Sequence, residues 1–80
     1  MRGRLAGTEA ELRLLGEAVS ERRRAAGLTQ EDVADAASVS LRFYRMIETG
    51  RGNPSYVTML KVADAIGTPL SEIVRRVERR

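Results

Sequence analysis

The feature that most constrains this chain is its punctuation. Gly27, the cluster Gly50, Gly52 and Pro54, and the pair Gly67 and Pro69 cut it into short apolar-periodic pieces. No piece alternates apolar and polar residues over a strand's length, so the pattern predicts helices and no strands. Start and stop signals fix five of them. Thr8-Glu9-Ala10-Glu11 has the form of a capping box and predicts a first helix capped by Thr8. Leu12, Leu15, Ala18, Val19 and Ala26 follow at helical spacing, and Gly27 supplies a left-handed stop. Thr29 caps a second helix, with Glu31 and Asp32 in the first turn where the helix dipole favours anions, and it ends near Ala37. After a brief Ser38-Val39 turn, Ser40 caps a third helix that runs to about Thr49. Gly50-Arg51-Gly52-Asn53-Pro54 is loop. Ser55 caps the fourth helix, with Val57, Leu60, Ala63 and Ile66 as its expected apolar stripe. Thr68 as N-cap and Pro69 at the first helical position open the fifth, which carries Leu70, Ile73, Val74 and Val77.

The 80 residues make one domain with a modest core, since a chain this short buries only about 60% of its unfolded surface. Residues 8–80 form that domain, and residues 1–7 read as a flexible arm. Arg2 and Arg4 in the arm either lie free or reach a minor groove, the first being the plainer reading. There is no cysteine, which excludes a disulfide framework and thiolate metal sites and suits a reducing cytoplasm. There is no histidine, which removes the usual ligand of zinc, copper and haem and the commonest acid–base catalyst. Glu31, Asp32 and Asp35 could be taken for paired catalytic carboxylates, but the dipole at a helix start explains them. No apolar run approaches the ~20 residues of a membrane span, and the basic start lacks the apolar stretch of a signal peptide. The expectation from composition is a cytoplasmic protein that is not an enzyme, with no metal, no cofactor and no membrane.

Charge narrows the class further. Fourteen basic residues face eleven acidic ones for a net +3, and all the basic residues except Lys61 are arginine. Arginine forks onto phosphates and guanine edges as lysine cannot, so the excess leans toward nucleic acid. The stretch from Leu28 to Pro54 offers the means. Two short helices are joined by a tight turn, the small Ala34 lets them approach, and Val39 and Ile47 plug the angle between them. In such a pair the second helix lies in the major groove. Residues 41, 42, 45 and 46 share one face of it, carrying Arg42 and Arg45, with Tyr44 and Ile47 behind.

The run Leu15-Gly16, Val19, Arg23, Gly27-Leu28-Thr29-Gln30-Glu31, Val33-Ala34, Val39-Ser40, Ile47-Glu48, Gly50, Asn53-Pro54-Ser55, Leu60, Ala63, Ile66-Gly67 and Leu70 resembles the phage-repressor-like, or Xre-type, helix-turn-helix transcriptional regulators. The resemblance spans roughly residues 12–74. It implies an all-α, five-helix, lambda-repressor-like domain that binds double-stranded DNA and regulates transcription. It implies that Ser40, Leu41, Arg42, Arg45 and Met46 face the bases, and that Thr29, Gln30, Phe43, Arg51 and Asn53 contact phosphates, Gln30 also bracing the recognition helix. It implies a buried ion pair between Arg23 and Glu48. Two positions depart from the pattern: Ser38 stands where glycine is frequent, and Tyr44 where a branched aliphatic is usual. Phe43-Tyr44 and the loop Arg51-Gly52-Asn53-Pro54-Ser55 are also similar to the small controller proteins of restriction–modification systems.

Leu70 and Ile73 suffice to dock the fifth helix, which leaves Val74 and Val77 as an apolar surplus. A homodimer seam there, pairing two recognition helices over a pseudo-palindromic operator, is the expected use; a plain apolar surface is the alternative. For the whole chain, the competing reading is an antitoxin-like or other protein-interaction module that kept the fold. Arg42 and Arg45 could then be ordinary solvated charges.

Overall fold

The computed structural model describes residues 4–78, with side chains from residue 8 onward. Five helices follow one another with no strand among the described residues: α1 (Arg4–Ala25), α2 (Gln30–Ala37), α3 (Leu41–Glu48), α4 (Tyr56–Ile66) and α5 (Leu70–Glu78). Helix α1 begins upstream of Thr8, so Thr8 lies inside it and is not its N-cap. A Thr-x-x-Glu box caps only where the chain before it leaves the helical path. Here Arg4, Leu5 and Ala6 are good helix formers and carry the helix through, despite the cost of Gly7. Residues 4–7, expected in a flexible arm, are therefore the first turn of α1, while Arg2 lies outside the described residues.

The interior helix ends are set by local chemistry. Gly27 is left-handed at φ 75°, and the Leu28 amide turns back to the Arg23 carbonyl at 3.2 Å. Thr29 and Asp32 make a reciprocal capping box on α2, each side chain accepting from the other's backbone N–H at 2.9 Å. The Thr29 backbone N–H, first among these contacts, holds the Asp32 carboxyl below its ordinary range. Ser38 ends α2 at φ 59°, ψ 41°, a left-handed conformation forced on a residue with a Cβ. Ser40 and Ser55 cap α3 and α4. At α5 the expected cap is absent. The helix starts at Leu70, and the Pro69 carbonyl accepts from the Glu72 amide at 3.0 Å. Thr68 is then one position too far back to reach the first-turn amides, and its buried hydroxyl has no partner.

Every helix contributes to one core. Val19, Val33, Tyr44, Ile47, Val62 and Ile73 are fully buried, and Ala18, Ala34, Ala37 and Ala63 let the backbones close. Two faces differ from the sequence reading. On α4 the inward residues are Met59, Val62, Ala63 and Ile66, whereas Val57 and Leu60 are 58% and 41% exposed. Helix α4 is apolar on more than one side, so two stripes share the helical spacing and packing selects one. On α5, Val77 is only 8% exposed, and with half-buried Val74 it lines an apolar groove against Leu12 and Leu15 of α1. Both leucines lie within the helix expected from Thr8 onward, and they cover part of what the sequence left as a surplus. Val77 is thus buried within the chain itself, which leaves half-buried Val74 as the more open part of the seam expected there. Ion pairs lace the same two helices, Arg22 to Glu72 at 3.3 Å and Arg76 to Glu21, but exposed pairs contribute at most about 1 kcal/mol each. Apolar contact therefore dominates that junction.

Candidate nucleic-acid interface

Helix α3 has two turns and two duties. Tyr44 and Ile47 anchor it in the core, while Arg42 and Arg45 are exposed on its other side. Its far end is fixed against α1 by an unusually close approach. A Cβ on Gly16 would fall 2.5 Å from the Glu48 carbonyl oxygen and nearer still to that of Ile47, so only glycine fits there. This contact brings Glu48 beside Arg23, the inward member of the Arg22-Arg23-Arg24 run.

The Arg23 guanidinium grips the Glu48 carboxylate with Nε at 2.7 Å and Nη2 at 3.2 Å, and Nη1 donates to the Leu28 carbonyl at 2.9 Å. Both side chains are almost wholly buried. The Tyr44 hydroxyl donates to the same carboxylate at 2.5 Å, and the Gln30 amide donates at 2.9 Å. Burial alone would raise the Glu48 pKa, but hydrogen bonds from Arg23, Tyr44 and Gln30 outweigh it and hold the group below the usual carboxylate range. The hydrogen bond to Glu48 raises the Arg23 pKa. Burial, then the bond to Glu48, pushes the Tyr44 phenol well above its ordinary value. Tyr44 at an aliphatic position is thereby explained: its ring fills the core and its hydroxyl completes the carboxylate's shell. Sequence reasoning placed Tyr44 behind the reading face without finding this bond.

The outer face gathers Leu41, Arg42, Arg45, Met46, Thr49 and Arg51 around one shallow depression. Three of these are arginines, all exposed. Among the other residues singled out, the Ser40 hydroxyl accepts from the Phe43 amide at 3.0 Å as the α3 cap, Phe43 is half-buried, and Thr29 is engaged in the α2 cap. Asn53 is exposed in the loop. Gln30 is half-buried with both ends of its amide used: besides donating to Glu48, its oxygen accepts from Arg45 Nε at 3.2 Å. Such a surface offers rigidly mounted donors with no acid among its lining residues, and it suits a polyanion with readable edges.

Comparison with known proteins agrees with this geometry. The family model described as Helix-turn-helix matches residues 19–73, from the middle of α1 into α5. The chain is 36% identical over 62 residues to the "Uncharacterized HTH-type transcriptional regulator y4dJ" of Sinorhizobium fredii, covering 78% of this chain and 80% of that one. It is 33% identical over 60 residues to the "Cryptic phage CTXphi transcriptional repressor RstR" of Vibrio cholerae, covering 75% of this chain and about half, 54%, of the repressor. Among solved structures it is similar to the restriction-modification controller protein C.AhdI from Aeromonas hydrophila, with a TM-score of 0.78 and 33% identity over 80% of this chain and 97% of that one. The phage-repressor-like resemblance is borne out, and the chain belongs to the helix-turn-helix family of DNA-binding transcriptional regulators.

Proposed function

We propose that the chain binds double-stranded DNA sequence-specifically in the cytoplasm, laying α3 in the major groove, and that it does so as a two-fold homodimer. The observation that carries this is the exposed arginine face of α3, mounted on a helix whose other side is buried and ion-paired. Arg42 and Arg45 read base edges with Ser40, Leu41 and Met46 around them. Arg51, Asn53, Phe43 and the N-terminus of α2 at Thr29 and Gln30 meet phosphates, where a helix start favours an anion. One such helix meets only a few base pairs, and a second copy doubles the site. The face of α4 supports the dimer, because Tyr56, Val57 and Leu60 are 71%, 58% and 41% exposed on adjacent turns. Contiguous apolar surface of that kind marks protein contacts.

Selection from a random duplex pool, followed by binding at several salt concentrations, tests the reading. Pseudo-palindromic sites with half-site centres about 10 base pairs apart are expected, with affinity falling steeply as salt rises. Arg42→Ala or Arg45→Ala relaxes preference at one position per half-site, and Arg51→Ala weakens all duplexes alike. Sites without two-fold symmetry, bound by a monomer, would overturn the dimer. No sequence preference at all would favour the antitoxin-like module.

A further inference from the structure

Two close approaches fix α1 against the end of α3. At Gly16 the helix meets the Ile47 and Glu48 carbonyls with no room for a methyl group. The second approach lies one turn earlier on α1. Gly50 is left-handed at φ 77°, and a Cβ there would fall 2.8 Å from the Arg13 Cα, 3.1 Å from its nitrogen and 3.3 Å from its Cβ. Backbone therefore meets backbone at Arg13 as it does at Gly16, and neither contact can yield by a turn of a side chain. Arg13 is thereby held beside the loop that carries Thr49 and Arg51, both of which line the depression on the outer face of α3.

A single exposed arginine is ordinarily a solvated charge. The arginines elsewhere on α1 and α5 fit that description, with Arg22 and Arg75 paired to Glu72 and Arg76 to Glu21. Arg13 differs. It is exposed and makes no hydrogen bond or ion pair among the described residues, although Glu9 and Glu17 stand one turn away on either side of it. In that it matches Arg42 and Arg51, which are exposed without an acidic partner. It also lies upstream of the matched residues 19–73. We propose that Arg13 is a phosphate-binding residue, by which α1, outside the two helices of the motif, clasps the strand bordering the groove that α3 enters. This rests on the reading of α3 proposed above. A guanidinium forks onto phosphate oxygens, and such a contact sets the orientation of the protein on the duplex without reading its sequence. Since α1 and the end of α3 are locked backbone to backbone, the contact at Arg13 also steadies the recognition helix.

The full chain carrying Arg13→Ala is compared with Arg13→Lys and with Arg75→Ala, which removes the same charge from α5. Affinities for a selected duplex and its single base-pair substitutions are measured at several salt concentrations. Arg13→Ala is expected to weaken every duplex about fivefold, to flatten the salt slope by about 0.9 per bound subunit, and to leave base preference and the thermal melt unchanged. Arg13→Lys should keep the slope, and Arg75→Ala should alter neither slope nor affinity. Parental slope and affinity in Arg13→Ala would overturn the inference. An equal loss in Arg75→Ala would overturn it too, because the effect would then be one of net charge. Chemistry on the DNA gives a second readout. Neutral methylphosphonates placed at single phosphates should reveal one position per half-site that weakens the parent but not Arg13→Ala. No such position, in a parent that binds duplexes with sequence preference, would overturn this inference alone. A parent with no salt-dependent duplex binding would overturn the proposed function and this inference with it.

Discussion

Arg23 and Ser38 show opposite ways in which one residue can matter. Arg23 is buried with its charge matched on one carboxylate, and removing it strands Glu48 in the core. Arg23→Ala should therefore cost about 3–5 kcal/mol in a urea or thermal melt, and an unchanged melt would contradict the buried pair. Arg23→Lys should recover only part of that, because a point charge cannot make the two-pronged contact. Ser38 carries a local cost instead. Its left-handed backbone costs roughly 1 kcal/mol that glycine would not, offset in part by the greater freedom of glycine when unfolded. Ser38→Gly should stabilise the fold by about 0.5 kcal/mol, and a lower melting temperature would show that the serine makes a compensating contact. The strained turn was legible from Ser38 standing where glycine is frequent. The Tyr44 and Gln30 bonds to Glu48 were not, because they join residues whose spacing carries no pattern until the helices are packed.

At the scale of elements, cap chemistry was readable wherever it is local. Thr29, Ser40, Ser55, Gly27 and Gly67 each act within four residues of the end they set. Packing was less readable. The inward side of α4 and the covering of α5 depend on what lies opposite, which periodicity alone does not encode. Two predictions belong here. Gly16→Ala should destabilise by about 2 kcal/mol or more, since the methyl group collides with backbone at the end of α3 that cannot step aside. Heteronuclear spectra should show the largest shifts at the α1–α3 contact; a wild-type melt would refute the close approach. Val77→Asp should unfold or severely destabilise the chain, while Leu60→Asp on the open side of α4 should leave the melt nearly intact and weaken self-association in sedimentation. The reverse result would restore the seam to α5.

The molecule as a whole should be indifferent to pH across the neutral range. It has no histidine or cysteine side chain to titrate there. Glu48 and Asp32 sit below their ordinary values, so their stabilisation is complete above an unfolded pKa of about 4 and is lost as pH falls through the folded values. Tyr44 is raised, so its contribution is complete below about pH 10 and is lost in stronger alkali. Denaturation midpoints should form a plateau from about pH 5 to 9 with an acid shoulder below it. A midpoint that moves between pH 6 and 8 would point to a group outside this account. The division of labour on α3 has a consequence on a longer timescale. Tyr44, Ile47 and Glu48 are held by contacts with other helices, whereas Arg42 has no such partner among the described residues. Surface exchanges of the Arg42 kind usually alter stability by less than about 0.5 kcal/mol. If α3 reads DNA as proposed, a lineage can drift at that position and acquire a new operator without first repairing its fold, while changes at Glu48 survive only beside compensating changes at Arg23.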